Sequence, residues 1–158
     1  MTELAGARRA HAGHVAIERM RWWHVEALEP IEADLFGVEK WSAALFWNEL
    51  ANDRYYVVAT DNGELVGYAG LSVNGDEGWV QNLAVRADRQ RHGIGRALLE
   101  ALLAEAEKRH TRAVLLEVAV NNRPAQKLYD AYGFEPVALR RGYYQPSNTD
   151  ALVMKKSA

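Results

Sequence analysis

The 158-residue sequence contains no cysteine, and this absence excludes several kinds of chemistry. Disulfides, thiolate metal sites and covalent acyl-cysteine intermediates all need a thiol. His24 and His92 stand alone in the sequence and lack the spacing of metal ligands. We therefore predict no metal site and assign both histidines to the surface.

An excess of positive charge and long apolar runs are also missing. The 19 lysines and arginines are balanced by 21 acidic residues, for a formal net charge of -2. There is no overall basic field to bind nucleic acid, so an anionic ligand needs a local cluster of charge. No apolar run approaches the roughly 18 residues that cross a bilayer, and the N-terminus lacks the apolar stretch of a signal peptide. We expect a cytoplasmic monomer or weak dimer that binds neither nucleic acid directly nor membranes.

The length is typical of one domain that buries about two thirds of its surface on folding. Residues 1–13 show no periodicity and are predicted to be a flexible N-terminal extension, followed by a single domain over residues 14–158. Apolar and turn patterns predict the order β-α-α-β-β-β-α-β-α-β-β, which is a mixed α/β domain. Asn62-Gly63 is the favoured dipeptide of a two-residue hairpin turn and is expected to join two of these strands.

The first two predicted helices carry most of the tryptophans. Apolar spacing predicts a first helix that Pro30 should bend, and Ser42 is expected to cap the second. The stripe of the first helix consists of Trp22, Val25, Leu28, Ile31 and Leu35. We expect Trp22, Trp23, Trp41 and Trp47 to lie mostly in the core, with about one of the four lining a groove.

The stretch "RQRHGIGRALLEALL", residues 89–103, has the glycine pattern of an anion-binding loop. Gln90, Gly93 and Gly95 form Q-x-x-G-x-G between a strand and a helix, where backbone N–H groups can turn toward a phosphate. No Gly-Lys-Ser/Thr follows, and the third glycine of a dinucleotide fingerprint would fall at Leu98. The pattern alone is equally compatible with a plain strand-to-helix turn that carries solvated arginines.

Glu117 and Tyr129 are the candidate catalytic side chains. Glu117 interrupts the apolar strand "VLLEVAV", on the face of Leu115 and Ala119, and a buried carboxylate is costly unless it is paired. The strand pattern fits a general base, or equally a carboxylate that is salt-bridged to a nearby arginine at an opening of the sheet. Tyr129 continues an apolar helical stripe, and this position alone favours packing over catalysis.

Two blocks of sequence together resemble the GNAT superfamily of N-acetyltransferases. These are "NLAVRADRQRHGIGRALL" and "LLEVAVNNRPAQKLYDAYGF", and the resemblance covers about residues 14–156. It implies the GNAT fold, which is a mixed central sheet of about seven strands, splayed at the acetyl-CoA site, with about four helices. It also implies acetyl-CoA as the co-substrate.

The resemblance further implies a set of cofactor-binding residues. Backbone groups of Leu83, Ala84 and Val85 would pair with the pantetheine arm, where two parallel strands separate. Asn122 would contact the cofactor near the same arm. The pyrophosphate would be wrapped by Arg91, His92, Gly93, Ile94, Gly95 and Arg96, with charge also offered by Arg86 and Arg89.

The same resemblance implies catalytic roles. Glu117 would take a proton from the acceptor amine, directly or through water, and Tyr129 rather than Tyr132 would protonate the departing thiolate. Without a cysteine, the amine must attack the thioester directly in a ternary complex, and the Val85 N–H is a plausible donor to the oxyanion. An α-amine with a pKa near 8 is about one-tenth neutral at pH 7, against about 0.04% for lysine. A single glutamate therefore suffices more easily for an α-amine.

The two ends of the domain resemble the RimI-type ribosomal-protein alanine N-acetyltransferases. The blocks are "WSAALFWNEL" and "FEPVALRRGYYQPSNTDALVM", with Thr149 where glutamate is usual and Glu39-Lys40 where a proline is frequent. The resemblance implies acetyl transfer to a protein N-terminal amine, that of an alanine of a small-subunit ribosomal protein. Trp41, Tyr143 and Tyr144 would line the acceptor groove, although the tyrosines could equally pack on the sheet edge.

Two other functions are compatible with the sequence. The first is a GNAT enzyme that acetylates a small-molecule amine or a protein lysine. The second is a non-catalytic acyl-CoA-binding sensor, against which the presence of both Glu117 and Tyr129 argues.

Overall fold

The computed structural model describes residues 15–158, and the extension predicted at residues 1–13 lies outside them. This part of the chain contains seven strands and four α-helices in the predicted order, and three single turns of 3₁₀ helix. The elements are β1 (Val15–Arg19), α1 (Val25–Phe36), α2 (Ala43–Ala51), β2 (Tyr55–Asp61), β3 (Glu64–Asn74), β4 (Glu77–Val85), α3 (Ile94–Lys108), β5 (Ala113–Ala119), α4 (Arg123–Ala131), β6 (Glu135–Tyr144) and β7 (Thr149–Ser157).

The seven strands form one mixed sheet in the order β1-β2-β3-β4-β5-β7-β6. All neighbours are antiparallel except β4 and β5, which are parallel. Asn62 and Gly63 join β2 to β3 with φ of +52° and +85°. Positive φ at both residues is the signature of a type I′ hairpin turn, which confirms the predicted hairpin.

The sheet opens between β4 and β5. The two strands pair only where residues 77–79 lie beside residues 113–115. Just beyond this segment the register between β3 and β4 shifts, so that Gln81 has no partner on β3. Such a bulge bends its strand and increases the local twist. The C-terminal half of β4 and that of β5 are therefore not paired with each other, which confirms the predicted splay.

Each face of the sheet carries a pair of helices over its own apolar core. Helices α3 and α4 cover one face, and α1 and α2 cover the other. The core under α3 and α4 includes Leu98, Leu99, Leu102, Leu116, Tyr129 and Phe134, and the core under α1 and α2 includes Leu28, Ile31, Phe46, Tyr56 and Tyr68. Strand β5 and helix α4, which carry the catalytic candidates, thus contribute side chains to the same core.

Of the predictions for the first two helices, the cap at Ser42 is confirmed and the start of the first helix is not. The Ser42 hydroxyl accepts a hydrogen bond from the Leu45 N–H at 3.3 Å, as predicted for the cap of α2. Helix α1 runs unbroken through Pro30 but begins only at Val25, because residues 22–24 form a separate 3₁₀ turn. The expected helical start at Trp22 is therefore wrong.

The expectation that the tryptophans lie mostly in the core is also wrong. Trp22, Trp23 and Trp47 are 62%, 59% and 47% exposed. In α2 the buried position belongs to Phe46, one residue before Trp47. The exposed rings contact one another instead, with the Trp22 and Trp47 rings stacked at 6.4 Å between centroids.

Candidate active site

The end of β4 presents free backbone edges to the opening in the sheet. The Arg86 N–H donates to the Val66 carbonyl on β3 at 2.8 Å. Because backbone groups alternate sides along a strand, those of Leu83 and Val85 point away from β3, toward the gap beside β5. The Gln90 side chain donates to the Val85 carbonyl at 3.0 Å. Gln90 of the glycine pattern thus ties the loop to the strand that was predicted to pair with pantetheine.

The glycine loop leads directly into α3. Arg91 and Gly93 both have positive φ, of +65° and +82°, and Gly93 is the N-cap of the helix. The first turn therefore points unpaired N–H groups of residues such as Ile94 out of the helix end, where an anion binds well. A methyl group added to Gly95 would lie 3.6 Å from Leu128 of α4 and 3.8 Å from Val85. The loop, α4 and the end of β4 consequently pack together.

The arginines around this loop have different surroundings. Arg86 lies 2.6 Å from Asp88 and 3.4 Å from Glu64, and Arg89 is paired with Asp61. These two side chains are already neutralised by carboxylates. Arg91, in contrast, forms no ion pair within residues 15–158, and is exposed at the predicted phosphate site.

Other predicted cofactor residues have additional contacts. The Arg96 guanidinium lies 5.6 Å from the centroid of the Tyr132 ring. Asn122 is the N-cap of α4, and its side-chain oxygen accepts a hydrogen bond from the Ala125 N–H at 3.3 Å. His92 is exposed on the loop. The contacts of all three with a cofactor stay predictions.

Glu117 is held from both sides near the opening. Its side chain is 17% exposed, and Arg140 Nε lies 2.8 Å from Oε2. The Tyr143 hydroxyl donates to Oε1 at 2.9 Å. Oε2 is buried and accepts no hydrogen bond of good geometry, so the contact with Arg140 is an ion pair and Oε2 keeps acceptor capacity. The arginine partner that the strand pattern allowed for is therefore present.

Tyr129 lies on α4, in the core between this helix and the sheet. Its ring is 6% exposed and meets Phe134 edge to face at 5.7 Å. Burial raises the pKa of Tyr129, with a smaller contribution from Tyr144. Burial, followed by the charge of Glu117, raises the pKa of Tyr144 to about 12. Tyr144 therefore lies near both Tyr129 and Glu117, and both phenols stay protonated at neutral pH.

The residues predicted to line an acceptor groove lie at the end of β6 and on the loop between α1 and α2. Tyr143 is 43% exposed, and its ring meets that of Tyr144 edge to face at 5.1 Å, at the end of β6. On the other side, the Glu39 carboxylate accepts hydrogen bonds from the Ser147 N–H at 3.2 Å and from its hydroxyl at 2.6 Å. The loop that carries Trp41 is thereby fastened to the turn between β6 and β7.

Sequence reasoning missed Glu32, which is only 1% exposed inside the core under α1 and α2. Its carboxylate accepts a hydrogen bond from the Trp41 N–H at 2.7 Å and another from the Tyr68 hydroxyl. A signal was present, since Glu32 follows Leu28 by four residues and so continues the buried stripe of α1.

Residues 15–158 hold no group of three or more acidic or histidine side chains that could bind a metal ion. Within the same range no helix is long and apolar enough to cross a membrane.

Comparison with known proteins identifies the family. Residues 10–134 match the sequence model of the Acetyltransferase (GNAT) family. The chain is 38% identical over 127 residues to the [Ribosomal protein bS18]-alanine N-acetyltransferase of Escherichia coli, covering 75% of this chain and 86% of that protein. It is 42% identical over 134 residues to the N-alpha-acetyltransferase RimI of Mycobacterium tuberculosis, covering 81% and 83%.

A solved structure agrees with the sequence matches. The crystal structure of the ribosomal-protein-S18-alanine N-acetyltransferase from Escherichia coli superposes with a TM-score of 0.83 at 33% identity, covering 90% of this chain and 93% of that one. The chain therefore belongs to the GNAT family of acetyltransferases.

Proposed function

We propose that this protein transfers the acetyl group of acetyl-CoA to the α-amine of a protein N-terminus, that of an N-terminal alanine in a small-subunit ribosomal protein. The observation that carries the proposal is the position of Glu117 beside the opening between β4 and β5, bonded to Tyr143. The names of the relatives in Escherichia coli and Mycobacterium tuberculosis support the same acceptor class.

The residues present fit acetyl-CoA. The backbone groups of Leu83 that face the gap can pair with the pantetheine arm, and the Val85 N–H faces the same gap, while the Val85 carbonyl already accepts from Gln90. The pyrophosphate fits the first turn of α3, where Gly93 allows positive φ and the helix end favours an anion. Arg91 adds a positive charge that no described carboxylate neutralises. The acyl group would then extend along the splay toward Glu117.

The proposed reaction is direct transfer in a ternary complex. The neutral amine attacks the thioester carbonyl carbon, so that a C–N bond forms and the C–S bond breaks. Glu117 takes the proton of the amine, directly or through water, and the Val85 N–H stabilises the oxyanion. Tyr129 gives its proton to the departing thiolate and is reprotonated through solvent as Glu117 releases its own. The raised pKa of Tyr129 suits a group that must hold its proton until this step.

The acceptor would lie between the α1–α2 loop and the end of β6. Trp41 lies on one side of this groove, and Tyr143 and Tyr144 lie on the other. Because an α-amine is far less protonated than lysine at neutral pH, a single glutamate is an adequate base for it. A ribosomal acceptor agrees with the cytoplasmic location predicted from the sequence.

A panel of short peptides tests the proposal. The purified protein is incubated with acetyl-CoA and peptides that begin with Ala, Ser or Gly, beside lysine peptides with blocked N-termini, and the products are read by mass spectrometry. We expect acetylation of the free N-termini, with alanine preferred. Glu117→Gln serves as the inactive control.

The alternatives give different results in the same panel. Modification confined to lysine peptides would overturn the proposed acceptor while keeping the chemistry. Binding of acetyl-CoA without transfer to any amine would indicate the sensor function instead.

A further inference from the structure

Glu32 is a buried carboxylate for which the proposed reaction has no use. It is 1% exposed among apolar and aromatic side chains of α1, α2 and the sheet. For stability alone, an apolar side chain of similar volume would serve as well or better, because burying a carboxylate is costly. A role for Glu32 other than stability must therefore come from the two groups that it binds, the Trp41 N–H and the Tyr68 hydroxyl.

One of these groups belongs to a loop and the other to the sheet. Tyr68 lies on β3, is fully buried, and donates its hydroxyl to Glu32 Oε2. The Trp41 N–H donates to Oε1 at 2.7 Å, from the loop between α1 and α2. Glu32 thus connects a rigid point of the sheet to the backbone of this loop.

The same loop reaches the opposite side of the proposed groove two residues earlier. Glu39 accepts two hydrogen bonds from Ser147, at the turn between β6 and β7. The charge of Glu39 also contributes to the raised pKa of Tyr144, which lies near Glu117. Residues 37–42 are therefore tied at two points, to the sheet through Glu32 and to the turn between β6 and β7 through Glu39.

We infer that Glu32 is a positioning residue for the acceptor: its carboxylate, fixed to the sheet by Tyr68, holds the backbone of Trp41 and so the loop of residues 37–42 against the groove. The inference rests on the proposed function, since it takes this groove as the acceptor site. Glu32 touches neither acceptor nor acetyl-CoA and acts only through Trp41.

The test separates the bond to Trp41 from the bond to Tyr68. Glu32→Met removes both bonds and fills the space with an apolar side chain, whereas Tyr68→Phe removes one hydroxyl and leaves the bond to Trp41. We expect Glu32→Met to raise KM for an N-terminal alanine peptide about tenfold, as for a lost hydrogen bond to a charged group. KM for acetyl-CoA should not change, and Tyr68→Phe, which loosens the anchor but keeps the bond to Trp41, should raise KM for the peptide less than Glu32→Met does.

Two further variants keep the test decisive. In Glu32→Gln the amide oxygen can accept from Trp41 while the amide nitrogen donates to Tyr68, so peptide KM should return to within about twofold of the parent value. Glu32→Asp keeps the negative charge, but its shorter side chain moves the carboxylate away from the Trp41 N–H. This variant replaces Glu32→Met in the test if Glu32→Met does not fold. Its peptide KM should rise in the same way, and hydrogen exchange at the Trp41 amide should accelerate in both variants.

Three results would overturn the inference. The first is an unchanged peptide KM in both Glu32→Met and Glu32→Asp. The second is an equal rise of both KM values, which indicates general disruption, and the third is a rise in Tyr68→Phe as large as that in Glu32→Met. If the parent acetylates only lysine peptides, the proposed acceptor fails, and the same comparison of variants with those peptides still tests Glu32.

Discussion

The Glu117 side chain has the arginine partner that its strand position suggested, together with a hydrogen bond from Tyr143. Arg140 compensates the charge of the carboxylate, and Tyr143 fixes its orientation, while the buried Oε2 keeps acceptor capacity. A carboxylate held in this way is positioned to accept a proton without having to search for its orientation. The ion pair with Arg140 is therefore compatible with the proposed role of Glu117 as the base.

Glu117→Gln should therefore lower kcat by about 10²- to 10⁴-fold, the usual contribution of general base catalysis. The affinity for acetyl-CoA, measured by calorimetry, should stay near that of the parent because the glycine loop is unaffected. Glu135→Gln on β6, an exposed position, is the matched control for the lost charge. A Glu117→Gln enzyme with parental kcat would contradict the proposed role.

Tyr129 differs from Tyr132, its neighbour one helical turn away, in burial and hydrogen bonding. The Tyr132 hydroxyl donates to Glu100 at 2.7 Å, whereas Tyr129 lies in the apolar core beside Phe134. We expect Tyr129→Phe to lower kcat at least about tenfold and Tyr132→Phe to leave it nearly unchanged.

The pH dependence follows from the direction of the shift. Burial raises the pKa of Tyr129, so the hydroxyl stays protonated up to and beyond the ordinary tyrosine value of about 10. The pH–rate profile of the parent should accordingly show no loss of activity from ionisation of Tyr129 below about pH 10. An alkaline limb near pH 9 that disappears in Tyr129→Phe would still fit a general acid, but it would show that the pKa of this tyrosine is not raised and would contradict the predicted profile.

At the scale of elements, helix α2 shows which of two adjacent aromatic residues supports the fold. Phe46 is 2% exposed and meets Tyr56 and Tyr68 edge to face, whereas Trp47 is 47% exposed and stacks on Trp22. Phe46→Ala should lower the free energy of unfolding by about 3–5 kcal/mol, as for other buried aromatic residues. Trp47→Ala should lower it by less than about 1 kcal/mol, because little of its surface is lost from the core.

Urea denaturation followed by circular dichroism measures both changes, and the two variants control for each other since both truncate an aromatic residue to alanine. Equal losses of stability would mean that the stacked tryptophans carry as much packing energy as the core.

Helices α1 and α2 show why the periodicity of the sequence predicted the presence of each element better than the burial of its side chains. The order of strands and helices, the hairpin at Asn62-Gly63 and the cap at Ser42 depend on local geometry, and all three are confirmed. The burial of a tryptophan depends on where its helix begins, and here the 3₁₀ turn at residues 22–24 rotates Trp22 out of the stripe of α1. Long-range packing, and not local pattern, decided that outcome.

At the scale of the whole molecule, the sequence indicated candidate residues of the site but not the bonds that join distant segments around them. Glu117, Tyr129 and the glycine loop each stood out as an exception to a local pattern or through family resemblance. The contact of Glu39 with Ser147 spans 108 positions, and that of Glu32 with Tyr68 spans 36. No local pattern encodes such pairs, because they depend on how the sheet brings distant loops together.

The net charge of the whole molecule leads to a last prediction, which concerns the binding of CoA at the glycine loop. With a formal net charge of -2, the protein as a whole does not attract a ligand that carries several phosphates, so binding depends on local groups. Arg91→Ala and Arg112→Ala each remove one positive charge from this total. The Arg112 side chain is 86% exposed and lies beside Asp76. Asp76 belongs to the turn that precedes β4. Of these two arginines, only Arg91 lies at the predicted phosphate site.

Arg91→Ala should therefore weaken the binding of CoA about tenfold, as for the loss of one charge-assisted hydrogen bond. Arg112→Ala, with the same change in net charge, should leave the Kd nearly unchanged. Isothermal titration calorimetry with CoA at low and high salt measures both, and the effect of Arg91 should shrink at high salt because the site is open to solvent. Equal losses of affinity in the two variants would mean that CoA responds to the total charge of the protein, and the glycine loop would then not be the site that binds its pyrophosphate.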